Sequence, residues 1–166
     1  MNTNKLVRTA LLLALALLFQ IGFLQIAQPL VGPLVNMTLI LATLIVGAAS
    51  GIFIGIITPV VAFAMGIIGI APLIPLIIIG NTLWVVIFYI FNDMIKVKGN
   101  KWMGIIAGAF VKFSFLAISV RTVLTIFMPK VPPAVIATFT LPQLYTAFLG
   151  GTIALLIYPL LKKGIK

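Results

Sequence analysis

Apolar residues fill six long stretches of this chain, and proline, glycine or charged residues break one from the next. A helical membrane span takes about 20 residues. The stretches predict helices over about 5–27, 34–49, 52–68, 73–92, 102–127 and 142–161. The first has Lys5 and Arg8 at its start and resembles a secretory signal, but its apolar run is too long for a signal core of about 7–15 residues. The breaks are equally legible. Residues 28–33 carry Pro29, Gly32 and Pro33 and read as a loop, and Gly47 to Gly51 reads as a tight turn of small residues. Gly69 to Pro72 breaks the chain again. Pro59 lies inside the third stretch and predicts a kink, whereas Pro75 and Pro142 suit first helical turns. Residues 129–142 form a longer loop with Pro132 and Pro133, a length more often functional than idle.

Composition turns this pattern into a class. Of 166 residues 63% are apolar and 7% are charged, with a mean hydropathy of +1.36. A soluble domain of this size cannot hide so much apolar surface, so the chain reads as an all-α integral membrane protein, one transmembrane domain over 1–166. Eleven Lys and Arg stand against one acid, Asp93, with no His and no Cys. That inventory excludes a Cys/His metal site, a Ser-His-Asp triad, a Cys nucleophile and a paired-carboxylate acid/base site. No Walker A pattern occurs, so the chain has no ATPase of that kind. No catalytic residue, metal or cofactor is expected. In so apolar a chain, the net charge of +10 speaks for topology and anionic lipid rather than nucleic acid.

Six spans place both ends on one side. Lys5, Arg8, Lys96, Lys98, Lys101, Lys162, Lys163 and Lys166 all fall on that side, and only Lys130 falls in an opposite loop. The positive-inside rule therefore predicts cytoplasmic termini and a cytoplasmic 93–101 loop in a multi-pass protein of the cell membrane.

Depth follows from residue number at about 1.5 Å per residue. Counted from Lys101, Lys112 lies about 16 Å into the fifth span, near the midplane, and Arg121 about 30 Å in. Asn81 is about 13 Å deep from the outer side. Gln20 belongs to the outer part of the first span, and Gln25, Gln28, Asn36 and Gln143 border the outer loops. Strong polar groups thus gather in the outer half or at the middle, which predicts a polar cavity open outward and closed toward the cytoplasm. A lysine at mid-bilayer costs about 2.5–3.5 kcal/mol. Asp93 is too far down the fourth span to pair with it directly. Lys112 either snorkels or bonds freed backbone carbonyls, for example near Pro59, or it awaits a carboxylate, phosphate or polarised carbonyl of a ligand. Arg121 follows nine residues later, on the opposite face of an ideal helix, where it reads as an interfacial anchor or a second cation for ligand. Asn81, Trp84 and Phe88 share a helical face, as an amide beside an aromatic shelf for a flat ligand or as ordinary packing. Ala10 and Ala14 on the first span, and Gly104 and Gly108 on the fifth, permit close helix approach.

The start NKLVRTALLLALALLFQ, with Ala10 and Ala14, the entry PLIPLIIIGN, and the segments VKFSFLAISV and LPQLYTAFLGGTIALL resemble the substrate-binding S component of an energy-coupling factor (ECF) transporter. The resemblance spans essentially the whole chain. It implies a subunit that captures a vitamin or related micronutrient and works with a transmembrane T component and two cytoplasmic ATPases. It places Ala10 and Ala14 against the T component, although Leu18 departs from a longer alanine motif. It also implies ligand held by the outer loops and outer halves of the later spans, and inward delivery by toppling of the subunit. The residues expected to meet substrate are Gln20, Asn36, Asn81, Trp84, Lys112, Arg121 and Gln143. With no carboxylate to receive a thiamine-like cation, the expected ligand has one anionic or strongly polar end and a ring or acyl body. Pantothenate, niacin, biotin, lipoate or a pteridine would qualify. The competing reading is a small channel or a structural membrane subunit without a tight ligand; a channel should be polar through its full depth.

Overall fold

The computed structural model describes residues 3–23 and 28–164. It is built from helices α1 (Thr3–Gly22), α2 (Gln28–Ile45), α3 (Ala48–Ala64), α4 (Leu73–Tyr89), α5 (Asn100–Phe127), α6 (Pro133–Thr138) and α7 (Leu141–Gly164). A π-type turn, Ile90–Met94, extends α4. Among the described residues the structure is all-helical, with six long helices and the short α6. Four segments are long and apolar enough to cross a membrane, while Leu30–Ile45 and Ala48–Ala64 are shorter apolar helices. Gln25, Lys166 and the end of the first expected span lie outside the described residues.

Two helix starts correct the sequence expectation. Residues 28–33 are not a loop: α2 begins at Gln28. Pro29 occupies the first turn, where its missing N–H has no intrahelical partner to lose. Gly32 is there for contact, since a Cβ on it would meet Thr146 Cγ2 of α7 at 2.8 Å. Similarly, the turn after α2 narrows to Val46 and Gly47, with Gly47 at φ 127°, and α3 starts at Ala48. Gly51 lies inside α3 against Leu39 O of α2 and Val85 of α4. Gly32 and Gly51 let helices approach, and only Gly47 turns the chain. The 129–142 loop contains α6, with Pro133 in its first turn.

Side-chain bonds fix how the helices run. Thr9 and Ser50 share a 2.8 Å hydroxyl contact near the starts of α1 and α3, and Gln20 Nε2 donates to Thr58 O at 3.0 Å nearer their ends. The two helices are therefore parallel. Lys101, at the start of α5, lies 5.2 Å from the ring centroid of Tyr158 late in α7, so these two are antiparallel. One end of the bundle thus gathers the start of α1, the 46–47 turn, the end of α4, the start of α5 and the end of α7. Lys5, Arg8, Lys96, Lys98, Lys101, Lys162 and Lys163 all lie toward it. Just inside this end, Leu39, Ile40, Trp84, Val85, Phe88 and Ile105 form a closed core. The expected GxxxG contact is internal: Gly104 faces Phe88 and Phe91, and Gly108 faces Trp84.

Candidate functional site

At the opposite end the helices part around a cavity of about 690 Å³. α2, α3, α4, α5, α6 and α7 all contribute to its wall, with Gln20 from α1. Lys112 sits at its floor. The residue is 3% exposed, and its Nζ donates to Asn36 Oδ1 at 2.7 Å and to Asn81 Oδ1 at 2.8 Å. Neither acid nor backbone carbonyl holds it among the described residues. Asp93, far down at the closed end, takes a hydrogen bond from Asn92 at 2.8 Å instead.

The backbone aims both amides. Pro59 lacks the N–H that would bond the carbonyl four residues earlier, which is that of Gly55. Gly55 O accepts Asn81 Nδ2 at 3.0 Å. Asn36 Nδ2 donates to Gly32 O, also at 3.0 Å. Each amide therefore gives one N–H to a main-chain oxygen and presents its own oxygen to the lysine. Glycines bring the helices close enough for this. A Cβ on Gly55 would meet Asn81 Cβ at 3.0 Å, and one on Gly150 would meet Asn36 Cβ at 2.7 Å and also Pro33 O. A lysine amine carries three donors at most. Two are occupied here, and Lys112 lines the cavity.

Gln20, Asn36, Asn81, Lys112 and Gln143 are brought to one cavity. Gln143 reaches it from the first turn of α7, with its Nε2 3.4 Å from Thr138 O. Two expected residues are elsewhere. Trp84 is fully buried in the closed core, against Gly108 and Gly151, and is no shelf for a ligand. One turn beyond Asn81, it has already passed below the floor. Arg121 is exposed, donates to Ala117 O at 2.7 Å, and does not line the cavity. Ala10 and Ala14 lie exposed on the outside of α1, with Leu11 and Leu18. Sequence reasoning missed Thr58, Thr146 and the contribution of α6, whose Val135 and Thr138, with Phe139 just after them, form part of the wall. Pro132 and Pro133 were the available signal, since proline favours a first helical turn.

The arrangement is a pocket, not a passage: polar groups line it down to Lys112, and buried Leu39, Trp84, Phe88 and Ile105 close it beneath. Neither a curated protein nor a solved structure matches the chain. A family model described as ECF transporter, substrate-specific component matches residues 4–162, nearly the whole of it. A multi-pass membrane protein with a pocket closed at one end and floored by a lysine, this chain belongs to the family of ECF transporter substrate-specific components, the membrane subunits that bind substrate for ECF importers.

Proposed function

We propose that the cavity captures a vitamin or related micronutrient with an anionic or strongly polar end, and that Lys112 receives that end. Membership of the family implies a small-molecule substrate, a T component and ATPase subunits that hydrolyse ATP. The finer reading rests on one observation: a lysine at the floor of a cavity, held by two neutral amide oxygens, with no acid beside it among the described residues. The amides orient the amine without neutralising it. A ligand carboxylate would supply a charge-assisted hydrogen bond in a medium poor in water. Asn36, Asn81, Gln20 and Gln143 add neutral hydrogen-bonding groups around it.

The test is affinity for the molecule that co-purifies with the protein, identified by mass spectrometry. Lys112→Met should weaken its binding by about 1.5–3 kcal/mol, the range for hydrogen bonds to charged groups, while the protein still inserts and assembles. Lys112→Arg should rescue only in part, because the guanidinium is planar and wider. Unchanged affinity in Lys112→Met would leave the lysine a structural residue.

The cavity opens at the end away from the clustered lysines, so the positive-inside rule supports an outward-facing mouth and cytoplasmic termini. With Cys absent from the chain, Lys98→Cys is a clean reporter. It should resist membrane-impermeant thiol reagents on intact cells, and labelling from outside would reverse the orientation.

A further inference from the structure

The wall of the cavity says more about the ligand than its floor does. The chain contains 12 Phe, three Tyr and two Trp, yet among the described residues only Phe139 and Tyr145 line the cavity. These two do not make a slot for a ring. Phe139 packs among Leu73, Val120 and Leu124, and Tyr145 is 41% exposed on the outer surface. The other large rings are spent elsewhere: Trp84 and Phe88 in the closed core, Phe53, Phe63, Trp102 and Phe110 on the outside. Between floor and mouth the wall is a collar of aliphatic groups, among them Val31, Val35, Ala62, Ile70, Ile77 and Val135. Branched side chains are stiff and give a rounded surface, which offers a ring no flat face to stack on and suits a saturated body.

Polar groups return in the outer wall with Thr138, Thr146 and Gln143, and the donors of the two hydroxyls are already used. Thr138 Oγ1 donates to Ala134 O at 2.8 Å, and Thr146 Oγ1 donates to Gln143 O at 3.3 Å. Their oxygens are left as acceptors. A ligand group that meets either hydroxyl oxygen therefore brings its own hydrogen, and the Gln143 side-chain oxygen can accept one as well.

Resting on the reading of Lys112 above, we infer that the substrate is an aliphatic carboxylate that carries a neutral hydroxyl or amide N–H donor toward its far end. The carboxylate lies at Lys112, the saturated body fills the collar, and the donor meets Thr138, Thr146 or Gln143. Of the ligands the sequence allows, this favours the pantothenate type over niacin or a pteridine.

The test uses the full chain in lipid nanodiscs, with direct titration of four probes and subtraction of uptake by empty discs. The probes are pantothenate, its alcohol analogue pantothenol, octanoate and nicotinate. Pantothenate should bind saturably and about tenfold or more tighter than each of the others, a discrimination within reach of a shaped pocket with hydrogen-bonding groups. At least one of Thr138→Val, Thr146→Val and Gln143→Leu should weaken pantothenate several-fold and leave octanoate unchanged; no effect from any of the three would overturn the placement of the donor. Nicotinate binding as tightly as pantothenate, with loss in Lys112→Met, would overturn the aliphatic body and keep the lysine reading. Equal binding of pantothenate and pantothenol would overturn the lysine reading, and with it the carboxylate, while supporting the aliphatic body. Absence of saturable binding by both pantothenate and octanoate overturns the inference as a whole.

Discussion

Asn81 and Trp84 lie one turn apart on α4, and both are buried. Asn81 faces a cavity and holds Lys112, while Trp84 fills a space bounded by Gly108 and Gly151. The same contrast runs along α5 from Lys112 to Gly108, and along α2 from Asn36 to Leu39. On the cavity side, glycines bring amides to the lysine; on the closed side, they seat aromatic rings. Close helix approach is thus a common device with two uses. In lipid, where burial alone does not drive helices together, small residues permit the packing that does. The closed half provides a rigid base, and the open half can hold polar groups in place without filling the space between them.

The largest expected effect comes from attacking the seam that serves both halves. Gly150 packs on α2 against Pro33 O and Asn36, where there is no room for a side chain. Gly150→Val should cost about 1–3 kcal/mol or more, because the obstacle is backbone rather than a flexible side chain. Thermal melting in detergent should show it, and an unchanged melt would mean that α2 and α7 are less tightly joined than described.

Next in size is a loss confined to transport. Replacing Ala10 and Ala14 with Trp should abolish uptake and assembly with the T component while ligand affinity of the isolated protein stays the same. Both alanines lie on the outer face of α1, away from the cavity wall. Loss of binding in the isolated protein would instead tie this face to the internal packing.

The smallest is a change within the floor itself. Asn81→Asp would place a carboxylate where Lys112 now meets an amide oxygen at 2.8 Å. It should weaken an anionic ligand by about tenfold, since an internal counterion competes for the same amine, while giving up the bond from Nδ2 to Gly55 O. Tighter binding of the anion would break the division of labour between amides and ligand.

Much of the fold was legible because membrane spans announce themselves by composition. The separation of Lys112 from Asp93 could be read by counting residues. What could not be read was which neighbour meets which. Asn36 and Asn81 stood out as polar, but their common partner depends on how α2, α4 and α5 meet. Trp84 was misplaced because a shared helical face does not say where a cavity ends and a core begins. Residues 28–33 and 47–51 were misread for one reason: Pro and Gly mark turns in water-soluble chains, but at helix contacts in a bilayer they also mark a first turn or a close approach. The role of Pro59 lay between these cases. Its freed carbonyl was foreseeable, but the amide of Asn81, not the lysine, occupies it.

α1 is joined to α3 at two levels, Thr9 to Ser50 and Gln20 to Thr58. Little water is available there to replace either bond, so sliding the helix lengthwise would strand polar groups in an apolar surround. Mechanically α1 is a rod pinned at two points. Its outer face near one pin displays Ala10 and Ala14, and its other pin, Gln20, is part of the cavity wall. Ala14 and Gln20 are six residues apart, about 9 Å along the axis. Whatever grips the alanine face therefore holds a rod whose far pin ends at the cavity wall.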